Sequence, residues 1–233
     1  FDQIIHDVAA QKLKIVLCLD RAGLVGEDGA PQHGVFDVGY LRMIPGTVVM
    51  APKNGEELRD MLWTAAHWQG SAPIAVRYPR APIPEDALPE REPRLLEIGR
   101  AEQLRAGGDI VLVALGTMVL PALAAAEELA GRGVSATVVN ARFVSPLDER
   151  MIAGLAASVG RIVTLEESVL AGGFGSAVSE CLGRHQLSAT PHLRLGLPDE
   201  FITHGKRDEL LQKAGLDVPG IARRVLEWHS TQI

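Results

Sequence analysis

Short runs of β-branched and aliphatic residues recur along this chain, each followed by a stretch whose apolar residues fall at helical spacing. Lys14–Asp20, Thr47–Pro52 and Ile74–Pro79 are such runs. Their length and lack of alternation fit parallel strands buried on both faces. Between the last two, Leu58, Met61, Leu62 and Ala65 recur at helical spacing within Glu56–Trp68. The pattern resumes after residue 94. Leu95–Leu104 supplies an edge strand, and Asp109–Leu115, Val134–Asn140, Arg161–Glu166 and His192–Leu195 read as further strands. Helices begin near Thr117, Asp148 and Phe174, with Thr117 and Asp148 as N-caps and Asp217 capping a last helix that carries Ile221, Val225 and Leu226. Phe174, Ala177, Val178, Cys181, Leu182 and His185 share one helical stripe. The expectation is an α/β fold of mostly parallel sheets covered on both faces.

The two series of strands are separated by Ala81–Arg94, which holds four of the chain's 14 prolines among charges. Proline fixes φ and removes a backbone donor, so this stretch reads as a linker. At roughly 100–200 residues per domain, 233 residues suit two units, 1–80 and 95–233. Phe1–Val8 reads as the middle of an amphipathic helix, so the first unit is expected to be incomplete. A net charge of −6, from 23 Lys and Arg against 29 Asp and Glu with no basic block, argues against a general nucleic-acid binder or a polybasic membrane anchor. The apolar stretches fall short of the ~20 residues that span a bilayer. Cys18 and Cys181 both lie in apolar surroundings, which suits a reducing, cytoplasmic compartment better than a disulfide framework.

In open α/β sheets ligands collect outside the carboxyl ends of the strands, so the residues just after each strand carry the chemical information. The densest such segment is Asp20–Asp37, with Gly23, Gly26, Gly29 and Gly34 among Arg21, Glu27, Asp28, His33 and Asp37. Loops beyond ~12–15 residues are usually functional or disordered. Arg21 has the bidentate fork that a phosphate needs, and Asp28 and His33 are hydrogen-bonding or proton-transfer candidates. The plain alternative is a solvated surface loop. Arg77-Tyr78-Pro79-Arg80 closes another strand. Side-chain alternation sends its two arginines different ways: one toward the crevice, one toward a carboxylate, unless both make surface ion pairs.

Glu166-Glu167-Ser168 followed by Ala171-Gly172-Gly173-Phe174-Gly175-Ser176 has the outline of a dinucleotide fingerprint but lacks its third glycine. Close packing of the loop, or of a partner subunit, suits it better than nicotinamide binding. No H-x-x-x-H or C-x-x-C spacing occurs, so no metal ligands are assigned.

Taken in order, Phe1-Asp2-Gln3-Ile4-Ile5-His6-Asp7-Val8, Asp20-Arg21-Ala22-Gly23-Leu24-Val25-Gly26, His33-Gly34-Val35-Phe36-Asp37, Arg77-Tyr78-Pro79-Arg80, Asn140-Ala141-Arg142-Phe143-Val144-Ser145-Pro146-Leu147-Asp148, Glu166-Glu167 with Gly172-Gly173-Phe174-Gly175, and Gly196-Leu197-Pro198-Asp199-Glu200-Phe201 form a pattern. It resembles that of the 1-deoxy-D-xylulose-5-phosphate synthases, a thiamine-diphosphate-dependent branch of the transketolase superfamily. The resemblance implies part of a pyrimidine-binding-type parallel-sheet domain followed by a transketolase C-terminal-like three-layer α/β domain. It further implies a homodimeric enzyme that joins pyruvate to D-glyceraldehyde 3-phosphate, with thiamine diphosphate and Mg²⁺. The family's G-D-G…N signature for the cofactor diphosphate and metal does not occur in this sequence, so no cofactor ligand is assigned.

By the same resemblance, Arg21 and Arg80 match the family's arginines that hold the aldehyde's phosphate, and Asp28 an aspartate near the substrate hydroxyls. The family's substrate histidine aligns with Gln32, and His33 stands one place later. Either the loop is reshaped so that His33 serves, or that proton-transfer role is lost. Arg80 is followed by Ala81 where the family usually has glycine. A reading of another class is a non-catalytic assembly module of a split transketolase-like complex.

Overall fold

A computed structural model describes residues 1–83 and 90–231. Residues 84–89, the middle of the expected linker at 81–94, lie outside it. Three parallel strands, β1 (Val16–Leu19), β3 (Ile74–Arg77) and β2 (Val48–Met50), form the first sheet in the order β1-β3-β2, with Val16 and Val48 both opposite Ile74. Every residue of β2 and β3 is buried, as their uninterrupted apolar runs require. Helix α2 (Gly55–His67) covers one face, and Met61 and Ala65 pack on Val48, Met50, Ile74 and Val76. The Asn54 side chain caps it, accepting from the Glu57 amide at 2.9 Å. The short helix α1 (Asp37–Arg42) lies on the other side with Val38 and Leu41 fully buried.

The second sheet runs β4-β6-β5-β8-β9, from β4 (Glu102–Arg105), β5 (Ile110–Ala114), β6 (Ala136–Asn140), β8 (Ile162–Val169) and β9 (His192–Leu197). All its pairings are parallel except that of β4, an antiparallel edge. Alternation along β5 divides the core. Ile110, Leu112 and Ala114 join the cluster of helices α3 (Val119–Ala130) and α7 (Val218–Ser230), while Val111 and Val113 join that of α4 (Glu149–Val159) and α5 (Phe174–Arg184). Helix α6 (Arg207–Lys213) follows β9.

The proline-rich stretch does not separate the two sheets. β7 (Phe143–Ser145), from the far side of it, pairs antiparallel with β2 as the fourth strand of the first sheet. The α4–α5 core cluster also runs on through Val38, Leu41, Val49 and Ala75 of the first half. Beyond the undescribed residues, Arg91 is tied to Glu56 and Asp60 of α2, with 2.6 Å contacts to both.

Several local expectations change. Helix α3 begins at Val119 after a short 3-10 turn at Gly116–Met118, so Thr117 is not its cap; its hydroxyl instead donates to Glu167 at 2.6 Å. Asp148 does cap α4, accepting from Met151 N–H at 3.1 Å, whereas Asp217 holds the cap position of α7 without a side-chain bond. The edge strand expected within Leu95–Leu104 is instead Glu102–Arg105. Elements α1, α6 and β7 carry no period in the sequence that marks them, being at most seven residues long. Ile4–Ala9 is a wide helical turn with no buried residue.

In the second sheet the connections change sides between β5 and β8, the place where an open α/β sheet offers its ligand crevice. Here the crevice is filled from within. Leu24 and Val35, of the loop after β1, pack in one cluster with Ala114, Met118 and Val169.

Candidate functional site

The segment Asp20–Asp37 leaves β1 as a closed loop. Gly23 N–H donates to Gly34 O at 2.8 Å and Gly34 N–H returns to Gly23 O at 3.0 Å, pinching the neck. Glycine is obligatory at both places. A Cβ on Gly34 would lie 2.0 Å from the Arg21 carbonyl oxygen; one on Gly23, at φ +77°, would lie 2.4 Å from Glu167 Cδ. Between them the chain makes two 3-10 turns, Gly26–Asp28 and Ala30–Gln32.

Arg77 anchors the base of this loop. It is 3% exposed, its Nε donates to Asp37 Oδ2 at 2.9 Å and its Nη2 to Gly34 O at 3.0 Å. Burial pulls the guanidinium's pKa down, but the Asp37 charge and hydrogen bond outweigh it and hold the pKa above the ordinary arginine value. Arg77, the last residue of β3, thus turns inward to a carboxylate, while Arg80, three residues past the strand, lies at the surface, 61% exposed in its side chain.

The structure pairs two of the four residues singled out from the sequence with each other and leaves Arg21 and His33 on other partners. Arg80 Nη1 pairs with Asp28 Oδ2 at 2.5 Å, and Arg21 Nη1 donates to Gln32 Oε1. Arg80 also borders an open cavity of about 880 Å³ at the carboxyl ends of β1 and β3, with Asp20, Lys53, Tyr78 and Thr117 around it. His33 does not face that cavity. Its ring is buried, Nδ1 accepts the Val25 amide at 3.1 Å, and Nε2 has no partner among the described residues. With Nδ1 accepting, the neutral ring carries its proton on Nε2, which faces a small gap beside Val169, Leu197 and Phe201.

Two buried glutamates organise the site from the second sheet, and only their position after an apolar run marked them. Glu167, 1% exposed, accepts the Leu24 amide at 2.8 Å and the Thr117 hydroxyl, and pairs with the Arg207 guanidinium. Glu166 accepts the Phe174 and Gly175 amides at the start of α5, both at 2.7 Å, and the Ser168 hydroxyl. Burial pushes the Glu166 carboxyl above the usual carboxylate range, against the Ser168, Gly175 and Phe174 hydrogen bonds. The glycines after it are accounted for, since a Cβ on Gly173 would lie 2.3 Å from Glu166 Oε2. The helix terminus that a dinucleotide phosphate would use is thus occupied by the chain's own carboxylate.

A third buried carboxylate ties the two halves. Glu57 of α2 accepts from Lys53 N–H at 2.8 Å, Asn140 Nδ2 at 2.9 Å and Arg142 Nε at 2.8 Å, so the Asn140-Ala141-Arg142 segment is a clasp. Among the described residues, the one group of His, Cys, Asp or Glu side chains with three ligand atoms within 4.8 Å of one another is Glu149, Cys181 and His185. Its carboxylate already binds Arg184 at 2.6 Å and His185 at 3.1 Å.

This architecture matches two family models in chain order. "Transketolase, pyrimidine binding domain" covers residues 1–85, and "Transketolase, C-terminal domain" covers 99–221. The chain belongs to the transketolase family. Its fold is therefore the α/β arrangement expected from the sequence, pyrimidine-binding-type first and C-terminal-type second. Curated relatives named 1-deoxy-D-xylulose-5-phosphate synthase include that of Thermomicrobium roseum, 53% identical over 99% of this chain and 36% of the relative. That of Gloeobacter violaceus is 52% identical over the whole chain and 36% of the relative. The chain thus spans about a third of the length of these relatives and matches their C-terminal portion. Among solved structures, "Split gene transketolase, inactive beta4 tetramer" superposes with a TM-score of 0.84 at 30% identity, covering 99% of this chain and 71% of that one. A transketolase mutant from Pichia stipitis gives a TM-score of 0.69 at 21% identity over 96% of this chain and 31% of that one, a likeness of fold.

Proposed function

We propose that this chain supplies the substrate-phosphate half-site of a thiamine-diphosphate-dependent transferase, which joins pyruvate to D-glyceraldehyde 3-phosphate and gives 1-deoxy-D-xylulose 5-phosphate and CO2. The observation that carries this reading is the pairing of Arg80 with Asp28 at the rim of the large cavity, on a chain about half identical to synthases of that name. An exposed guanidinium held by one carboxylate is poised to exchange it for a phosphate dianion, a stronger charge-assisted partner. Arg21, whose Nη1 donates to the neutral Gln32, is a second fork, on the loop that carries Asp28. Once Arg80 turns to phosphate, Asp28 is free to accept from a substrate hydroxyl. His33 offers a donor at Nε2, provided the gap beside Phe201 opens.

Thiamine diphosphate, when bound, supplies the carbanion chemistry of this class. The residues of this chain do not by themselves fit its diphosphate with Mg²⁺. A hard cation calls for oxygen donors, and the one three-ligand group among the described residues mixes thiol, imidazole and carboxylate. The first unit is assigned to residues 1–80, the linker to 81–94 and the second unit to 95–233, within a cytoplasmic homodimer.

In the whole enzyme, Arg80→Ala should raise the Michaelis constant for the phosphorylated aldehyde far more than that for pyruvate; equal effects on both would sink the phosphate assignment. Calorimetry of this chain with thiamine diphosphate and Mg²⁺ should show no tight binding, and stoichiometric uptake would overturn the half-site reading. A second reading is favoured by the likeness to the split-gene transketolase, an inactive beta4 tetramer. The chain would then be the non-catalytic assembly module of a two-chain enzyme. In that case its complex with a diphosphate-domain chain, and not the chain alone, would turn over.

A further inference from the structure

Most partly buried arginines of this protein are matched to carboxylates. Arg42 reaches Glu180, Arg91 reaches Glu56 and Asp60, Arg105 reaches Glu127, and Arg142 reaches Glu57 and Glu102, all between 2.5 and 3.2 Å. Arg224 on α7 breaks the pattern. It is partly buried, its Nη1 donates to the Ala214 carbonyl at 3.3 Å, and among the described residues no carboxylate oxygen lies within 4.0 Å of it. The same holds for Arg223 beside it and Lys213 at the end of α6, both exposed. In a chain with a net charge of −6, three neighbouring cations with no carboxylate oxygen within 4.0 Å among the described residues stand apart from the pattern. Burial, and then the Arg223 charge, pull the Arg224 pKa down although Glu227 opposes them.

These three side chains wall a surface cavity of about 400 Å³, distinct from the one at Arg80. Its floor is Leu170 and Gly196, at the carboxyl ends of β8 and β9, and Gly215 closes the turn between α6 and α7. Glycine is needed at both Gly196 and Gly215. A Cβ on Gly196 would lie 2.8 Å from Leu170 Cδ2; Gly215 has φ +65°, and its Cβ would lie 3.2 Å from Arg224 Cδ. The concavity therefore depends on backbone without side chains, beside a guanidinium with four N–H donors left over.

We propose that the cavity of Lys213, Arg223 and Arg224 is a second anion site, which binds a phosphorylated small molecule through its phosphate or diphosphate group. Two arginine forks and an ammonium match such a polyanion in charge and donor geometry. A volume of about 400 Å³ admits a ligand of that size.

The test is calorimetric titration of inorganic pyrophosphate at low ionic strength into this chain carrying Arg21→Ala and Arg80→Ala, which removes the other phosphate candidates. One saturable site is expected, weakened about tenfold or more by Arg224→Gln. The double change Lys213→Ala with Arg223→Ala alters only exposed side chains and keeps the test valid if Arg224→Gln fails to fold; it should weaken binding to a similar extent. Absence of saturation up to ~10 mM, an affinity weaker than a useful site has, would overturn the proposal. So would an affinity that neither variant changes.

Discussion

Glu167 Oε1 accepts the Leu24 amide at 2.8 Å across 143 residues of sequence, and this bond seats the glycine-rich loop in the crevice of the second sheet. The carboxylate is buried, and its other contacts, Thr117 and Arg207, also come from the second half. Removing it leaves an amide, a hydroxyl and a guanidinium short of an acceptor. Glu167→Ala should cost about 3 kcal/mol, read by urea denaturation. Amide hydrogen exchange should also quicken over residues 22–35. Glu167→Gln keeps an oxygen for Leu24 and should recover part of both effects. A wild-type exchange pattern in Glu167→Ala would show that Leu24 and Val35 hold the loop by packing alone.

Arg77→Met strands the buried Asp37 carboxylate at the start of α1. The expected loss is about 3–5 kcal/mol, because an unpaired buried charge costs more than the pair contributes. Adding Asp37→Leu should restore stability relative to Arg77→Met alone. A further drop in the double variant would mean that Asp37 has another charge partner.

His192 sits beside Thr164 and Ser179, with ring contacts of 3.0 Å to both hydroxyls. Burial, and then the Arg194 charge, lower its pKa to about 4. Because the folded pKa lies below the unfolded value of ~6.5, the unfolded chain takes up a proton that the folded chain refuses. Stability from this group is complete above about pH 6.5 and falls as pH drops toward 4, by about 2 kcal/mol between pH 7 and pH 5. Denaturation at the two pH values should show this difference shrinking in His192→Asn. An undiminished pH dependence would assign it to other groups.

The two cysteines should separate by reactivity. Cys18 is exposed on the edge strand β1, while burial, and then the Glu149 charge, push the Cys181 thiol up to about 11. At pH 8 a disulfide reagent should titrate one thiol quickly and the second only on unfolding. Cys18→Ser should abolish the fast phase. Two fast thiols in the folded chain would contradict the burial of Cys181.

The repeating apolar runs determined most of the fold. Strands such as Ile110–Ala114 are marked by an unbroken apolar run and helices such as Phe174–Arg184 by their helical period, and their burial follows from these patterns. The length and glycine content of Asp20–Asp37 likewise mark the loop that carries Arg21, Asp28 and His33. Tertiary structure alone decided what that loop rests on. Whether Glu166 and Glu167 face a ligand or the chain's own amides depends on groups up to 143 residues away, and no local spacing encodes such a contact. The same is true of β7, whose three residues gain strand character from pairing with β2, and of Arg77 and Arg80. Alternation separates those two arginines in sequence, but only the placement of Asp37 and Asp28 makes one a buried anchor and leaves the other exposed at the rim of the cavity.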